Sequence, residues 1–216
     1  ISSILVMSQL LKKEEVSGGS PKVSEYSELI TKEAFRIKDQ IDKILQLAIM
    51  DNHKSIYNFS KVDIHECLNE AISITEHRIQ EKGGTINKSF NADQTIVKGD
   101  PIHLLNVFYN FLDNSIKYNS NVPEIAITTY NAKHKSYIKI CDNGIGINSK
   151  YQKMLFSKFF RVPTGNVHNV KGFGIGLYYA HKVVNAHRGS IQVKSTPMQG
   201  TEFTIVLPII RNNERF

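Results

Sequence analysis

Apolar positions recur along this chain with two different periods, and the switch between them divides it. Over residues 22–50, Val23, Tyr26, Ile30, Ala34, Ile37, Ile41, Ile44 and Ala48 follow one another at helical spacing. Residues 1–15 carry a shorter version, with Ile1, Ile4, Leu5 and Leu11 apolar and a polar end at 12–15. Ser17-Gly18-Gly19-Ser20-Pro21 between them reads as a turn. The pattern predicts a helical hairpin with one narrow apolar stripe on each helix. Such a hairpin cannot bury both stripes by itself. Dimerisation into a four-helix bundle is the economical solution; packing of the stripe on the rest of the chain is the other.

Past the polar residues 51–60, short strands and helices are interspersed. Asp63-Ile64-His65-Glu66 has the shape of a capping box and opens a helix to about Gln80, which Gly83-Gly84 ends. Strands are predicted at 85–90 and 95–98. Asp100-Pro101 supplies an N-cap and a first-turn proline for a helix to about Tyr118. A hairpin of strands follows at 124–130 and 136–141, then an irregular stretch to 171, a helix at 174–186, and strands at 190–195 and 202–207. Helices and strands do not alternate strictly, so a two-layer α/β sandwich fits better than a doubly wound sheet. The domain reading is a hairpin at 1–52, a linker at 53–61, a catalytic domain at 62–210 and a tail at 211–216.

Composition changes this picture little. With 41% hydrophobic and 22% charged residues the chain has the make-up of a globular protein. No apolar run approaches the ~18 residues of a membrane span. Residues 1–60 carry eight basic and eight acidic side chains, so the whole net charge of +7 lies beyond them. That excess suits a polyphosphate ligand. No dense Lys/Arg run with interleaved aromatics supports a nucleic-acid partner. The two cysteines, Cys67 and Cys141, lack metal-ligand spacing. Cys141, alternating within a predicted strand, is expected to be a small core residue.

Three stretches carry candidate chemistry. Asp142-Asn143-Gly144-Ile145-Gly146-Ile147 follows a strand and presents a carboxylate and then two glycines. A carboxylate can accept from an exocyclic amine of adenine, and glycines let the backbone turn sharply beside a flat base. On the helix before it, Asn110 and Asn114 share a face, with Lys117 and Tyr118 one turn further on. Amide oxygens suit Mg²⁺, a hard cation that keeps waters and binds substrate phosphates. Lys171-Gly172-Phe173-Gly174-Ile175-Gly176-Leu177 leads into a helix whose start favours phosphate. It is neither a Walker loop nor a dinucleotide fingerprint.

Together these stretches resemble the N, G1 and G2 boxes of sensor histidine kinases, in order. Phe156-Ser157-Lys158-Phe159-Phe160-Arg161 is similar to the family's F box, and Gly200-Thr201 opens its closing strand. The resemblance implies the gyrase/histidine-kinase/MutL nucleotide-binding fold with a Bergerat-type ATP site, after a dimerisation and phosphotransfer hairpin. It implies that Asp142 holds the adenine amine, with Thr201 assisting through water and Gly144, Gly146 and Ile147 lining the base. Asn114 would coordinate Mg²⁺ and Asn110 line the phosphates. Lys117 and Arg161 would neutralise phosphate charge, with Tyr118 against the nucleotide. Lys171, Gly172, Phe173, Gly174, Ile175, Gly176 and Leu177 would cradle the triphosphate, below an ATP lid at 162–171. Phe159 and Phe160 would be core residues that anchor that lid.

The implied activity is phosphorylation of a histidine by ATP, followed by transfer to a response-regulator aspartate. One departure stands out. All eight histidines lie at or beyond His53, whereas the family's acceptor sits on the first helix. Ile1-Ser2-Ser3-Ile4 is similar to the residues on the C-terminal side of the family's acceptor box, so the acceptor is expected just upstream of residue 1. The implied setting is cytoplasmic, as a homodimer through residues 1–50, in a larger membrane-anchored protein. His103 and His181 read as packing or surface residues. The alternatives are a gyrase- or MutL-like ATPase, which would place a Glu where Asn110 stands, and a degenerate dimerisation and docking module.

Overall fold

The computed structural model describes residues 4–6, 8–9, 11, 23, 25, 27–35, 37, 57–163 and 174–210. The chain divides into two compact units, Ile1–Ser55 and Ile56–Phe216.

In the first unit the described residues 4–6, 8–9, 11, 23, 25, 27–35 and 37 are helical. Among the described residues, hydroxyl groups join the two helical stretches, with one further bond inside the second. Ser8 Oγ donates to the Ser27 carbonyl at 2.6 Å, Ser27 Oγ donates back to the Ser8 carbonyl, and Thr31 Oγ1 donates to the Ser27 carbonyl at 2.8 Å. Ser8, Ser27 and Ala34 are buried. By contrast Ile4, Leu11, Val23, Ile30 and Ile37 of the expected stripes are exposed in the single chain. At about 100° per residue, Val23, Ile30 and Ile37 form a ridge roughly 70° round the helix from the Ser27, Thr31 and Ala34 face. Residues 38–50, the remainder of the expected second helix, lie outside the described residues.

The second unit is built on a five-stranded sheet in the order β2-β4-β5-β7-β6. Its strands are β2 (Thr85–Phe90), β4 (Glu124–Ala132), β5 (Lys135–Asp142), β6 (Ser190–Ser195) and β7 (Thr201–Pro208). Only β2 and β4 run parallel; the other neighbours are antiparallel. A separate ribbon pairs β1 (Ser60–Asp63) with β3 (Ile96–Gly99). The helices are α1 (Ile64–Glu81), α2 (Pro101–Lys117), the single turn α3 (Ser149–Gln152) and α4 (Gly176–Ala186). α1 and α4 both pack against α2. The result is the expected two-layer α/β sandwich. β1 lies where the sequence reads as connector, because four residues with one buried valine give too short a period-two signal.

The core is the apolar face of α2 on the inner face of the sheet. Leu104, Val107, Phe108, Phe111 and Leu112 are fully buried, as are Ile125, Ile127, Ile138, Ile140 and Ile205 beneath them. Phe111 meets Phe203 with ring centroids 4.8 Å apart. The other face of β5 carries Tyr137, Lys139 and Cys141. Cys141 is therefore not the core residue its alternation suggests: it is half-buried and donates towards Glu202 at 3.6 Å. Burial beside that carboxylate pushes its thiol up to about 11.

Both ends of α2 are fixed. Asp100 is its N-cap, with Oδ1 accepting the His103 N–H at 3.1 Å and Oδ2 the Asn58 N–H at 2.9 Å. The Asp100 N–H donates to His187 Nε2 at 2.9 Å, and His187 Nδ1 donates to the Val183 carbonyl at 2.7 Å. His187 is thus a neutral imidazole protonated at Nδ1, and burial holds it below the ordinary imidazole range. This junction ties the start of α2 to the end of α4. At the other end Lys82 reaches over from the end of α1 and donates to the Ile116 carbonyl at 2.9 Å.

Phe108 has no exposed surface and lies at the centre of the α2 face. Phe108→Ala should therefore lower the unfolding free energy by about 3–5 kcal/mol, read from chemical denaturation.

Candidate nucleotide-binding site

β5 ends at Asp142, which directs its carboxylate into the space below the second half of α2. Oδ1 accepts the Gly144 N–H at 2.9 Å and the Thr201 N–H at 3.2 Å; Oδ2 accepts the Ser115 hydroxyl at 3.2 Å. Burial raises the carboxyl above its ordinary value, while these three donors pull the other way. The carboxylate keeps acceptor capacity for one more donor.

The turn after Asp142 tolerates no side chain where the glycines stand. A Cβ on Gly144 would come within 2.6 Å of the Tyr118 carbonyl oxygen. Gly146 has φ +65°, and a Cβ there would meet the Thr196 carbonyl oxygen at 2.0 Å. The loop is stitched on both sides. The Ile145 N–H donates to the Tyr118 carbonyl at 3.0 Å. The Ile147 N–H donates to Ser195 Oγ at 2.8 Å, and Ser195 Oγ also lies 2.9 Å from Thr201 Oγ1. Gln152 Nε2 donates to the Ile147 carbonyl at 3.0 Å and the Ser195 carbonyl at 2.7 Å.

α2 supplies the opposite wall. Asn110 and Asn114 are half-buried one turn apart. Asn110 Nδ2 donates to the Asn106 carbonyl at 2.8 Å, which turns Oδ1 towards Gly176 at the start of α4. A Cβ on Gly176 would sit 2.6 Å from that oxygen. The Asn114 amide pairs with no other described residue. α4 begins at Ile175 without a side-chain cap, leaving first-turn N–H groups for an anion. Gly174, with φ +69°, brings the chain against the Phe160 carbonyl. Asp142, Thr201, Gly144, Gly146, Ile147, Tyr118, Asn110, Asn114, Ile175 and Gly176 lie on these walls, and Leu177 follows in the first turn of α4. Lys171, Gly172 and Phe173 lie outside the described residues, as does most of the expected lid.

Two placements differ from the sequence expectation. Lys117 Nζ bonds Asp113 Oδ2, on the side of α2 that faces α1, not the amide pair. Phe159 is no core anchor: its φ of 61° turns the ring outward, where it is 56% exposed beneath Lys158 Nζ. Phe160 is half-buried and Arg161 exposed. Ser115 and Ser195, which hold the carboxylate and the loop, are absent from the sequence expectation. Ser115 has a local signal, since it interrupts an otherwise apolar face beside Asn114; Ser195 has none.

Residues 99–211 match the profile of the histidine kinase-, DNA gyrase B- and HSP90-like ATPase family, and that span holds every wall described above. The chain belongs to that family. Within this ATPase family it is similar to sensor histidine kinases. It is 35% identical to sensor protein RprX of Bacteroides fragilis over 216 residues, 99% of this chain and 41% of RprX. It is 29% identical to sensor protein kinase WalK of Staphylococcus aureus over 78% of this chain and 40% of WalK. The chain thus spans about two-fifths of each. Full-length ShkA in complex with AMPPNP superposes with a TM-score of 0.81 at 20% identity, over 95% of this chain and 42% of ShkA. Histidine kinase ThkA in complex with response regulator TrrA gives 0.68 at 18% identity, over 98% of this chain and 59% of that one. These two likenesses establish the fold.

A family ATP site with a partly buried carboxylate should trade stability for binding. Because the folded pKa of Asp142 is raised, the folded state binds more protons than the unfolded one between about 3.8 and that value. Stability falls as pH rises through this window, and the ionised carboxylate carries the full cost above it. Asp142→Asn should therefore unfold at the same or a higher temperature at pH 7, with the difference shrinking towards pH 4. Its ATP affinity should fall at least about tenfold. Thermal scans across pH and calorimetric ATP titrations check the two halves.

Proposed function

We propose that this chain is the kinase core of a two-component sensor histidine kinase, binding Mg-ATP for transfer of the γ-phosphoryl group to a histidine. The observation that carries the reading is the three-sided site: Asp142 at the end of β5, the Asn110 and Asn114 ridge on α2, and the uncapped start of α4. Asp142 would accept the adenine amine. Gly144, Gly146 and Ile147 would lie along the base, and Thr201 would reach it through water. The start of α4, with Gly174, Ile175, Gly176 and Leu177 and the upstream Lys171, Gly172 and Phe173, would face the phosphates.

The residues fit a magnesium ion. Among the described residues no three His, Cys, Asp or Glu side chains converge, so a cation here would not have an all-protein cage. The unpaired Asn114 amide offers one oxygen and leaves the remaining positions to phosphate and water, as Mg²⁺ prefers. Magnesium would supply charge neutralisation between phosphate oxygens. Asn110 would hold the phosphate side, and Lys117 and Arg161 would add positive charge. No carboxylate stands at position 110 to activate water, which disfavours a gyrase-like hydrolase.

The acceptor would be a histidine preceding residue 1, since none lies before His53 and the matched relatives are longer. Transfer onward to a receiver-domain aspartate is supported by the ThkA–TrrA complex of the same fold. The ridge of Val23, Ile30 and Ile37, left exposed beside a polar face already used within the chain, supports a homodimer through residues 1–50. A cytoplasmic core in a membrane-anchored sensor completes the reading.

Two experiments test it. Labelled γ-phosphate should pass from ATP to the full-length protein as an acid-labile, alkali-stable phosphoryl group, and Asn114→Ala should abolish it. Rapid hydrolysis with no transfer would point to the gyrase-like ATPase instead. Separately, light scattering should find a dimer that Ile30→Glu or Ile37→Glu weakens, because each would place charge in the seam. A monomer at high concentration, both here and with the preceding residues restored, would sink the bundle.

A further inference from the structure

Lys117 stands on the nucleotide ridge of α2 but does not point along it. It lies seven residues beyond Asn110, about 20° round the helix, whereas Asp113 lies about 60° off the ridge. The ammonium is nonetheless turned back onto Asp113 Oδ2, an Asp-to-Lys pair at four residues. Asp113 is almost wholly buried, and its other oxygen is held at 2.8 Å by Arg78 Nη1 from α1. Desolvation lowers the Arg78 pKa, but its contact with Asp113 outweighs this and raises it. Two cations therefore share one buried carboxylate: one ties α1 to α2, and the other belongs to the nucleotide site.

Any phosphate that needs Lys117 must take it from this carboxylate. Breaking a buried ion pair is costly when it strands the carboxylate. Here it does not, because Arg78 stays on Oδ1 when Lys117 leaves Oδ2. The Lys117 side chain is about one-third exposed and free to swing about its own stem. Building on the reading of Lys117 as a phosphate contact, we propose that Asp113 competes with the nucleotide's phosphates for Lys117. Arg78, by sharing Asp113, sets how readily that lysine is released. Both are positioning residues, and neither touches the nucleotide.

The two substitutions that remove one member each have opposite consequences for a triphosphate, although both remove the same α1–α2 ion pair. Asp113→Asn frees Lys117 and should tighten ATP binding, by up to about fivefold for an ion pair whose lysine is about one-third exposed. Arg78→Gln leaves Asp113 to Lys117 alone and should weaken ATP binding by a similar factor. Adenosine, which has no phosphate, should bind all of these proteins alike. In a Lys117→Ala background the Asp113→Asn effect should vanish. Calorimetric titration of ATP and adenosine into the chain and its four variants reads all of this. ATP and adenosine affinities falling together in Asp113→Asn, or no change in ATP affinity, would overturn the proposal. If Asp113→Asn does not fold, Arg78→Gln decides alone, and unchanged or tighter ATP binding there overturns it. If Lys117→Ala itself leaves ATP affinity intact, it is the reading of Lys117 as a phosphate contact that fails.

Discussion

Placing the Asp142 carboxylate at the end of β5, mostly out of water, costs free energy unless hydrogen-bond donors meet it. Three do, from three different elements: Gly144 in the following turn, Thr201 at the start of β7, and Ser115 on α2. Each donor must approach closely, which explains the glycines around it. A Cβ on Gly200 would lie 1.8 Å from the Asp142 carbonyl oxygen, so β7 can reach its register only with glycine there. The carboxylate is therefore held by the sheet and by the helix layer together. Its position, and with it the edge an adenine would read, is fixed before any ligand arrives.

α2 does the remaining organising because its faces have separate tasks. One face, apolar except for Ser115, buries itself on the sheet. A second carries Asn110, Asn114 and the stem of Lys117. A third presents Asp113 to Arg78 of α1. The first face anchors the helix strongly enough for the second to hold asparagines, poor helix formers, half out of water. α4 runs beside it, with its uncapped start at Asn110 and its end fastened to the Asp100 cap through His187. The wall around Asn110 and the start of α4, and the wall around Asp142, are thus both referred to one helix.

Much of this is legible in the sequence, where local chemistry and the fold agree. The caps at Asp63 and Asp100, the alternation of β4 and β5, and the carboxylate-glycine turn each name their structure within a few residues. The places where local pattern says less than the structure share a cause: each depends on a residue that the pattern does not single out. β1 is a strand only because Val62 and Val97 pair. Alternation tells which residues of β5 share a face with Cys141 but not which face meets the helices. Lys117 reads as a phosphate contact from its place on the ridge, while its ammonium follows a carboxylate one turn back. Ser195 matters only because β6 ends beside the glycine turn, some fifty residues away in sequence.

The helical unit obeys a different balance. Among the described residues, hydroxyls of Ser8, Ser27 and Thr31 join its two helical stretches, and such hydrogen bonds contribute only about 1 kcal/mol each once water is counted. Val23, Ile30 and Ile37 are exposed beside them. Such hydroxyl contacts specify pairing, since each needs its particular partner. They supply none of the hydrophobic stabilisation that holds Phe108 and Phe111 in the other unit. Register and stability are thereby separated. The polar face specifies which of the described residues meet, and burial of the exposed ridge of Val23, Ile30 and Ile37 in a homodimer would add hydrophobic stabilisation.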